Sequence, residues 1–203
     1  MKNSTKVFLF VITIISFSFV GPTPEPKKIN VVIDASHGGH DFGVTSNAIT
    51  EKQIVAQITK KIKSSNNNVV IHLTRNEDTF LSLEERTDFI NKIKPDLVIS
   101  LHVNASLNKE TSGLEFYVAK ETEFFIKSNE IAAKLNDKFS ENTNLKMLGI
   151  KNGPFYILKK SDVPAVIIEL GYLTNENDKK YLIDEKEQNR MAQSISEFIS
   201  DMN

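Results

Sequence analysis

The stretch INVVIDASHGGHDFG, residues 29–43, decides the fold class. Its first part is a short unbroken apolar run ending in Asp34, the pattern of a strand buried on both faces of a parallel sheet. Its second part is a Gly-rich loop carrying His37 and His40. Beyond the loop, residues 51–64 place apolar side chains at Ile54, Val55, Ile58 and Ile62, the spacing of one helix face. Strand, loop and helix form the opening unit, and the alternation continues downstream. VVIHL at 69–73, LVISL at 97–101, LEFYV at 114–118 and AVII at 165–168 read as further strands, with FYIL at 155–158 as an edge piece. Helical patterns occupy 82–92, about 123–141 and 185–200. The first of these opens with Ser82 followed three residues later by Glu85, a capping-box arrangement, and Pro95 lies just past its end. Strands interleaved with helices predict an α/β single domain: a twisted, mostly parallel sheet of about six strands with helices on both faces.

The N-terminus departs from this pattern. Lys2 and Lys6 precede an apolar-to-small run over 7–20, which as a helix reaches only ~21 Å against a hydrocarbon core of ~30 Å. Residues 1–20 therefore read as a signal peptide, and because no A-x-A tripeptide precedes Gly21 the reading as an uncleaved membrane tether stays open. GPTPEPKK at 21–28 reads as an extended Pro-rich linker, leaving 29–203 as the folded domain. The expected location is outside the cytoplasmic membrane, in the periplasm or cell-wall space.

Composition removes several classes of function. The chain has no cysteine, which excludes a thiol nucleophile, a disulfide framework, thiolate zinc ligands and a Cys-linked lipid anchor. A net charge of -1, with no long basic run, argues against nucleic acid as a partner. The eight glycines form neither G-x-G-x-x-G nor a phosphate loop, and there is no G-x-S-x-G elbow or H-E-x-x-H helix.

In open α/β sheets ligands bind outside the carboxyl ends of the strands. His37 follows the first apolar run, His102 follows LVISL, Glu169 follows AVII, and Glu51 opens the first helix. Two histidines and a carboxylate form a common ligand set for catalytic zinc, and a further carboxylate can serve as base. Each residue also has a plainer reading. His37 is a turn residue, His102 a hydrogen-bonded core histidine, and Glu51 a favourable charge at a helix N-terminus. Glu169 is harder to explain in that way, because it directly follows a buried run with no Lys or Arg near it in sequence, and an uncompensated buried charge is costly. His40 reads as solvent-facing and His72 as structural. Arg75 and Asn104 stand at strand ends, either supporting the site or making ordinary strand-end and surface interactions.

Taken together, these motifs resemble the zinc-dependent N-acetylmuramoyl-L-alanine amidases that cut the bacterial cell wall. The carriers are VVIDASHGGHDFG with Glu51 opening EKQI, LTRNEDTFLSLEERTDFINKIKPDLVISLHVNAS, GLEFYV, and GPFYILKKSDVPAVIIELGYLTN, which together run from about residue 29 to the C-terminus. The resemblance implies that His37, Glu51 and His102 bind Zn2+, that Glu169 is the catalytic carboxylate, and that the substrate is the peptidoglycan amide between N-acetylmuramic acid and L-alanine. There are two departures. Ala35-Ser36 stands where the family usually has Pro-Gly. Some relatives also carry a helical insertion after the strand matching GLEFYV, which blocks the zinc until a partner displaces it, whereas here AKETEFFIKS leads almost directly into the next helix. The resemblance leaves the identity of a protein activator, the oligomeric state and the biological role open. Two competing readings are a zinc peptidase acting on another linkage and a noncatalytic peptidoglycan-binding module. A nucleotide-binding regulator on a similar sheet is weakened by the missing phosphate loop.

Overall fold

The computed structural model of the chain describes residues 28–65 and 69–202. The expected signal or tether at 1–20, and the linker up to residue 27, lie outside the described residues. In chain order the elements are β1 (Asn30–Ala35), β2 (Thr45–Ser46), β3 (Ile49–Thr50), α1 (Glu51–Ser65), β4 (Val70–Leu73), α2 (Leu83–Ile93), β5 (Leu97–Asn104) and β6 (Leu114–Val118), followed by α3 (Phe125–Asn142), β7 (Met147–Asn152), α4 (Tyr156–Lys160), β8 (Ala165–Tyr172), α5 (Glu176–Ile183) and α6 (Glu185–Ser200).

Six strands form one sheet in the order β4-β1-β5-β8-β6-β7. β4, β1, β5 and β8 run parallel, β6 is antiparallel to β8, and β7 is parallel to β6. The mostly parallel α/β sheet expected from the sequence is therefore present. Its two faces are unequal. On one face Val31, Ile33, Leu97, Ile99, Leu114, Phe116, Val166 and Ile168 form the large core with the buried sides of α1, α3 and α6. On the other, Val32, Val98, Ala165 and Ile167 meet Ile90 of α2 and Ile157 and Leu158 of α4 in a much smaller cluster. β1, β5 and β8 are sandwiched between these layers, which is why they read as continuous apolar runs.

Local chemistry sets the helix ends. Ser82 caps α2 reciprocally with Glu85, as the sequence predicts, and Lys94 closes it in the left-handed conformation. Asp184 caps α6 by accepting from the Glu187 backbone N–H.

Four assignments differ from the sequence reading. Residues 155–158 are not an edge strand: Phe155 is the N-cap of α4, and Ile157 and Leu158 are buried against the sheet. The strand-favouring letters lose to tertiary packing, since a helical turn points both side chains at the small cluster. The edge strand next to β6 is β7, whose half-exposed MLGIKN has no clean alternation to betray it. α5 has no apolar periodicity to mark it in the sequence, because only Asp178 and Leu182 of its eight residues are buried. Strands β5 and β8 run past the expected ends, so His102 and Glu169 lie within strands rather than just after them.

Candidate metal centre and catalytic carboxylate

His37, Glu51 and His102 converge at the carboxyl edge of the sheet, with one ligand atom from each lying within 4.8 Å of the others. Glu51 Oε1 is 3.1 Å from His37 Nε2 and 3.1 Å from His102 Nδ1. Two ligands each ~2.0–2.1 Å from a tetrahedral ion stand roughly 3.3 Å apart, so this spacing fits a zinc ion. The donor chemistry fits as well: two imidazoles and a carboxylate that has no Lys or Arg partner. The remaining bonds of Glu51 come from the Val103 N–H at 3.0 Å and the Ser36 hydroxyl at 3.4 Å on Oε1, and from the Val44 N–H at 2.9 Å on Oε2, which fix the carboxylate plane. His37 Nδ1 faces Asp41 Oδ2 at 2.8 Å, an outer carboxylate that orients the ring and leaves Nε2 for the ion. Burial disfavours charge on Glu51, yet hydrogen bonds from His102 and His37 hold its carboxyl far below the usual carboxylate range. Burial likewise opposes protonation of both histidines, and Glu51 overrides it and raises them.

The loop that carries His37 is held in an unusual shape. His37 itself has φ 58, in the left-handed region that non-glycine residues rarely adopt. Two arginines fix it through backbone carbonyls. Arg75 donates to Ala35 O and Ser36 O on one side and to Lys52 O at the start of α1, all at 3.0 Å, so it ties the His37 loop to the Glu51 helix. Arg75 is thus a buried brace rather than a member of a surface ion pair. Arg86, from α2, donates to Ala35 O at 2.9 Å and His37 O at 2.7 Å, and pairs with Asp34 at 2.7 Å. Asp34 also accepts from Thr74 and Ser100, so every polar atom of this buried cluster is used. Lys52 bonds Gly39 O and Asp78, closing the loop from the solvent side. Gly43 has φ 63, and a Cβ there would lie 2.5 Å from Glu51 Oε2 and 2.7 Å from His37 Cδ2. Only glycine fits between the two ligands.

Glu169 stands beside this centre on β8, in register with His102 on β5. It is 8% exposed, and its Oε2 is buried without a hydrogen-bond partner. Burial pushes its carboxyl up to about 7; His102 opposes the shift, and the Glu51 and Glu115 charges reinforce it. An unpartnered buried carboxylate next to a three-ligand set is the arrangement a general base requires. A cavity of about 320 Å³ opens against His37 and His102, walled by Phe80, Leu81, Leu83 and Ile157.

The remaining candidates separate clearly. His40 is exposed and stacks on Phe80 at 4.2 Å, away from the ligand group. His72 sits on the edge strand β4 opposite Val32. Asn104 donates to Glu115 and so belongs to the wall next to Glu169. Asp34, Arg86 and Asp41 complete the site beyond the sequence candidates; of these, Asp34, an Asp ending a buried strand, carries in the sequence the same signal of an expected partner as Glu169.

The fold is that of a cell-wall amidase catalytic domain. The solved catalytic domain of CwlV, an N-acetylmuramoyl-L-alanine amidase from Bacillus (Paenibacillus) polymyxa var. colistinus, superposes with a TM-score of 0.79 at 33% identity, covering 87% of this chain and 98% of that one. The N-acetylmuramoyl-L-alanine amidase from Clostridium difficile 630 gives a TM-score of 0.81 at 28% identity over 86% of this chain and 96% of that one. Among curated relatives, N-acetylmuramoyl-L-alanine amidase LytC of Bacillus subtilis (strain 168) is 30% identical over 194 residues, 89% of this chain but 39% of that relative's length. Residues 31–201 match the N-acetylmuramoyl-L-alanine amidase family model, and the chain belongs to that family of peptidoglycan hydrolases.

Proposed function

We propose that this chain hydrolyses the amide between the lactyl group of N-acetylmuramic acid and L-alanine in peptidoglycan, with His37, Glu51 and His102 as zinc ligands and Glu169 as catalytic carboxylate. The observation that carries the reading is the buried Oε2 of Glu169, free of any protein partner and one strand away from the ligand group. Zinc bound there supplies Lewis-acid polarisation of the scissile carbonyl and acidifies a water toward a pKa of ~7. Glu169 takes the proton from the attacking water and delivers it to the departing alanine amine, a double role that suits a carboxyl pushed up to about 7. Asp41 and the Val44 and Val103 amides keep His37 and Glu51 in place throughout. The basic and apolar segment at 1–20 supports export to the wall. Among the described residues no helix is long and apolar enough to cross a membrane.

The test is incubation of the purified protein with peptidoglycan, with and without chelator and restored zinc, scoring new alanine amino termini separately from new sugar reducing ends. Zinc-dependent alanine termini without reducing ends support the reading. Cleavage elsewhere in the stem peptide points to a zinc peptidase, and sedimentation with the polymer without cleavage points to a binding module.

A further inference from the structure

Next to Glu169 stands a second buried carboxylate that the reaction above leaves without a role. Glu115 on β6 is the antiparallel register partner of Glu169, so the two side chains leave the same face of the sheet at neighbouring positions. Glu115 is 1% exposed and heavily bonded. Its Oε1 accepts from Asn104 Nδ2 at 2.8 Å, the Tyr172 hydroxyl at 2.9 Å and the Tyr117 hydroxyl at 3.2 Å, and its Oε2 pairs with Lys151. Burial first, then Glu115, and more weakly Glu169, raise the pKa of both tyrosines, so both hydroxyls lie within the field of Glu169 as well. One carboxylate has collected four donors while the buried oxygen of its neighbour has none.

We infer that Glu115 is a positioning residue for the amidase reaction: it holds the donors of Asn104, Tyr117, Tyr172 and Lys151 away from Glu169 and so keeps the Glu169 Oε2 free for substrate and water. The inference rests on the reading of Glu169 as the catalytic carboxylate. Its physical basis is competition. A carboxylate that accepts several hydrogen bonds is stabilised as the anion and makes a weaker proton acceptor, and an ammonium on Glu169 would do so most strongly. Placing a bonded carboxylate across the strand satisfies the buried Tyr172 hydroxyl and the part-buried Asn104 and Tyr117 donors, and engages the more exposed Lys151 ammonium, so that none of them needs the neighbouring Glu169 oxygen.

The test is Glu115→Gln in the full, zinc-loaded protein. The amide keeps the shape of the side chain but cannot hold an ammonium and three further donors. The expected result on peptidoglycan is a fall in kcat of about tenfold or more, with KM and zinc content unchanged within about twofold. Adding Lys151→Met and Tyr172→Phe to that variant should recover kcat by about threefold or more, a rescue that a merely structural role for Glu115 would not produce. A crystal structure of the Gln variant should show one of the four donors on Glu169 Oε2. If the Gln variant does not fold, Glu115→Asp, which keeps the charge but draws it back from the donors, should give a smaller loss in the same direction. An unchanged kcat, a loss confined to KM or zinc content, or a Glu169 Oε2 still without a partner in the variant structure overturns the inference. If the wild-type protein cuts no wall amide, it is the amidase reading that fails, and the variant structure alone then decides whether Glu115 shields Glu169.

Discussion

Glu169 and His102 are register partners on the adjacent parallel strands β8 and β5, so the proposed catalytic carboxylate and a proposed metal ligand leave the sheet on one face, side by side. The backbone ladder between the two strands sets this spacing, in the most buried part of the sheet.

With the proposed role of Glu169 being proton transfer and not metal binding, Glu169→Gln should keep its zinc content and its melting temperature. Its turnover on peptidoglycan should fall by about 10²–10⁴-fold. Metal analysis together with release of alanine amino termini checks this, and near-wild-type turnover would remove Glu169 from the mechanism.

Asp41 orients His37 through Nδ1. Asp41→Ala should weaken zinc binding by about 10–100-fold while leaving the fold intact, because Asp41 is partly exposed and outside the core. Competition with a chelator of known affinity measures the change. Unaltered affinity would mean that the ring is held by packing alone.

Gly43→Ala should lose the metal site altogether, because the added methyl meets Glu51 Oε2 and the His37 ring at less than contact distance and sits at a positive φ. The expected readout is absent zinc with secondary structure retained by circular dichroism. Full zinc occupancy in this variant would contradict the packing described.

The Asp34–Arg86 pair gives the acid limb of stability. Burial alone would raise Asp34, but the Arg86 guanidinium, with the Ser100 and Thr74 hydroxyls, more than reverses this and lowers it. With its folded pKa below the unfolded value of ~3.9, Asp34 contributes stability that is fully present above that value and lost as pH falls through the folded one. Urea midpoints should therefore drop below about pH 4, and Asp34→Asn should flatten that dependence. Arg86→Met, which strands the buried carboxylate, should cost about 3–5 kcal/mol at neutral pH.

Between β6 and α3 the chain has only residues 119–124, which form no helix to cover the centre. The purified protein should accordingly cleave peptidoglycan without an added activator. An inert, zinc-loaded protein that gains activity with a partner would show that regulation acts by another route.

Much of this protein is local and therefore legible in the chain. The apolar runs of β1, β5 and β8 announce strands buried on both faces because nothing polar can stand there, and the spacing in α1 announces its buried face. His37, Glu51, His102 and Glu169 are visible because ionisable residues at the ends of such runs need a partner. Short-range pattern is silent where packing decides. FYIL became helix because the small cluster beneath α2 needed Ile157 and Leu158 side by side, and β7 formed at an edge where alternation is not enforced. The braces Arg75 and Arg86, and the carboxylate Glu115 with its four donors, join residues far apart in the chain. Sequence determines which groups must be satisfied, because that follows from their own solvation; only the tertiary structure decides by whom, because a buried donor takes whichever acceptor the fold brings within reach.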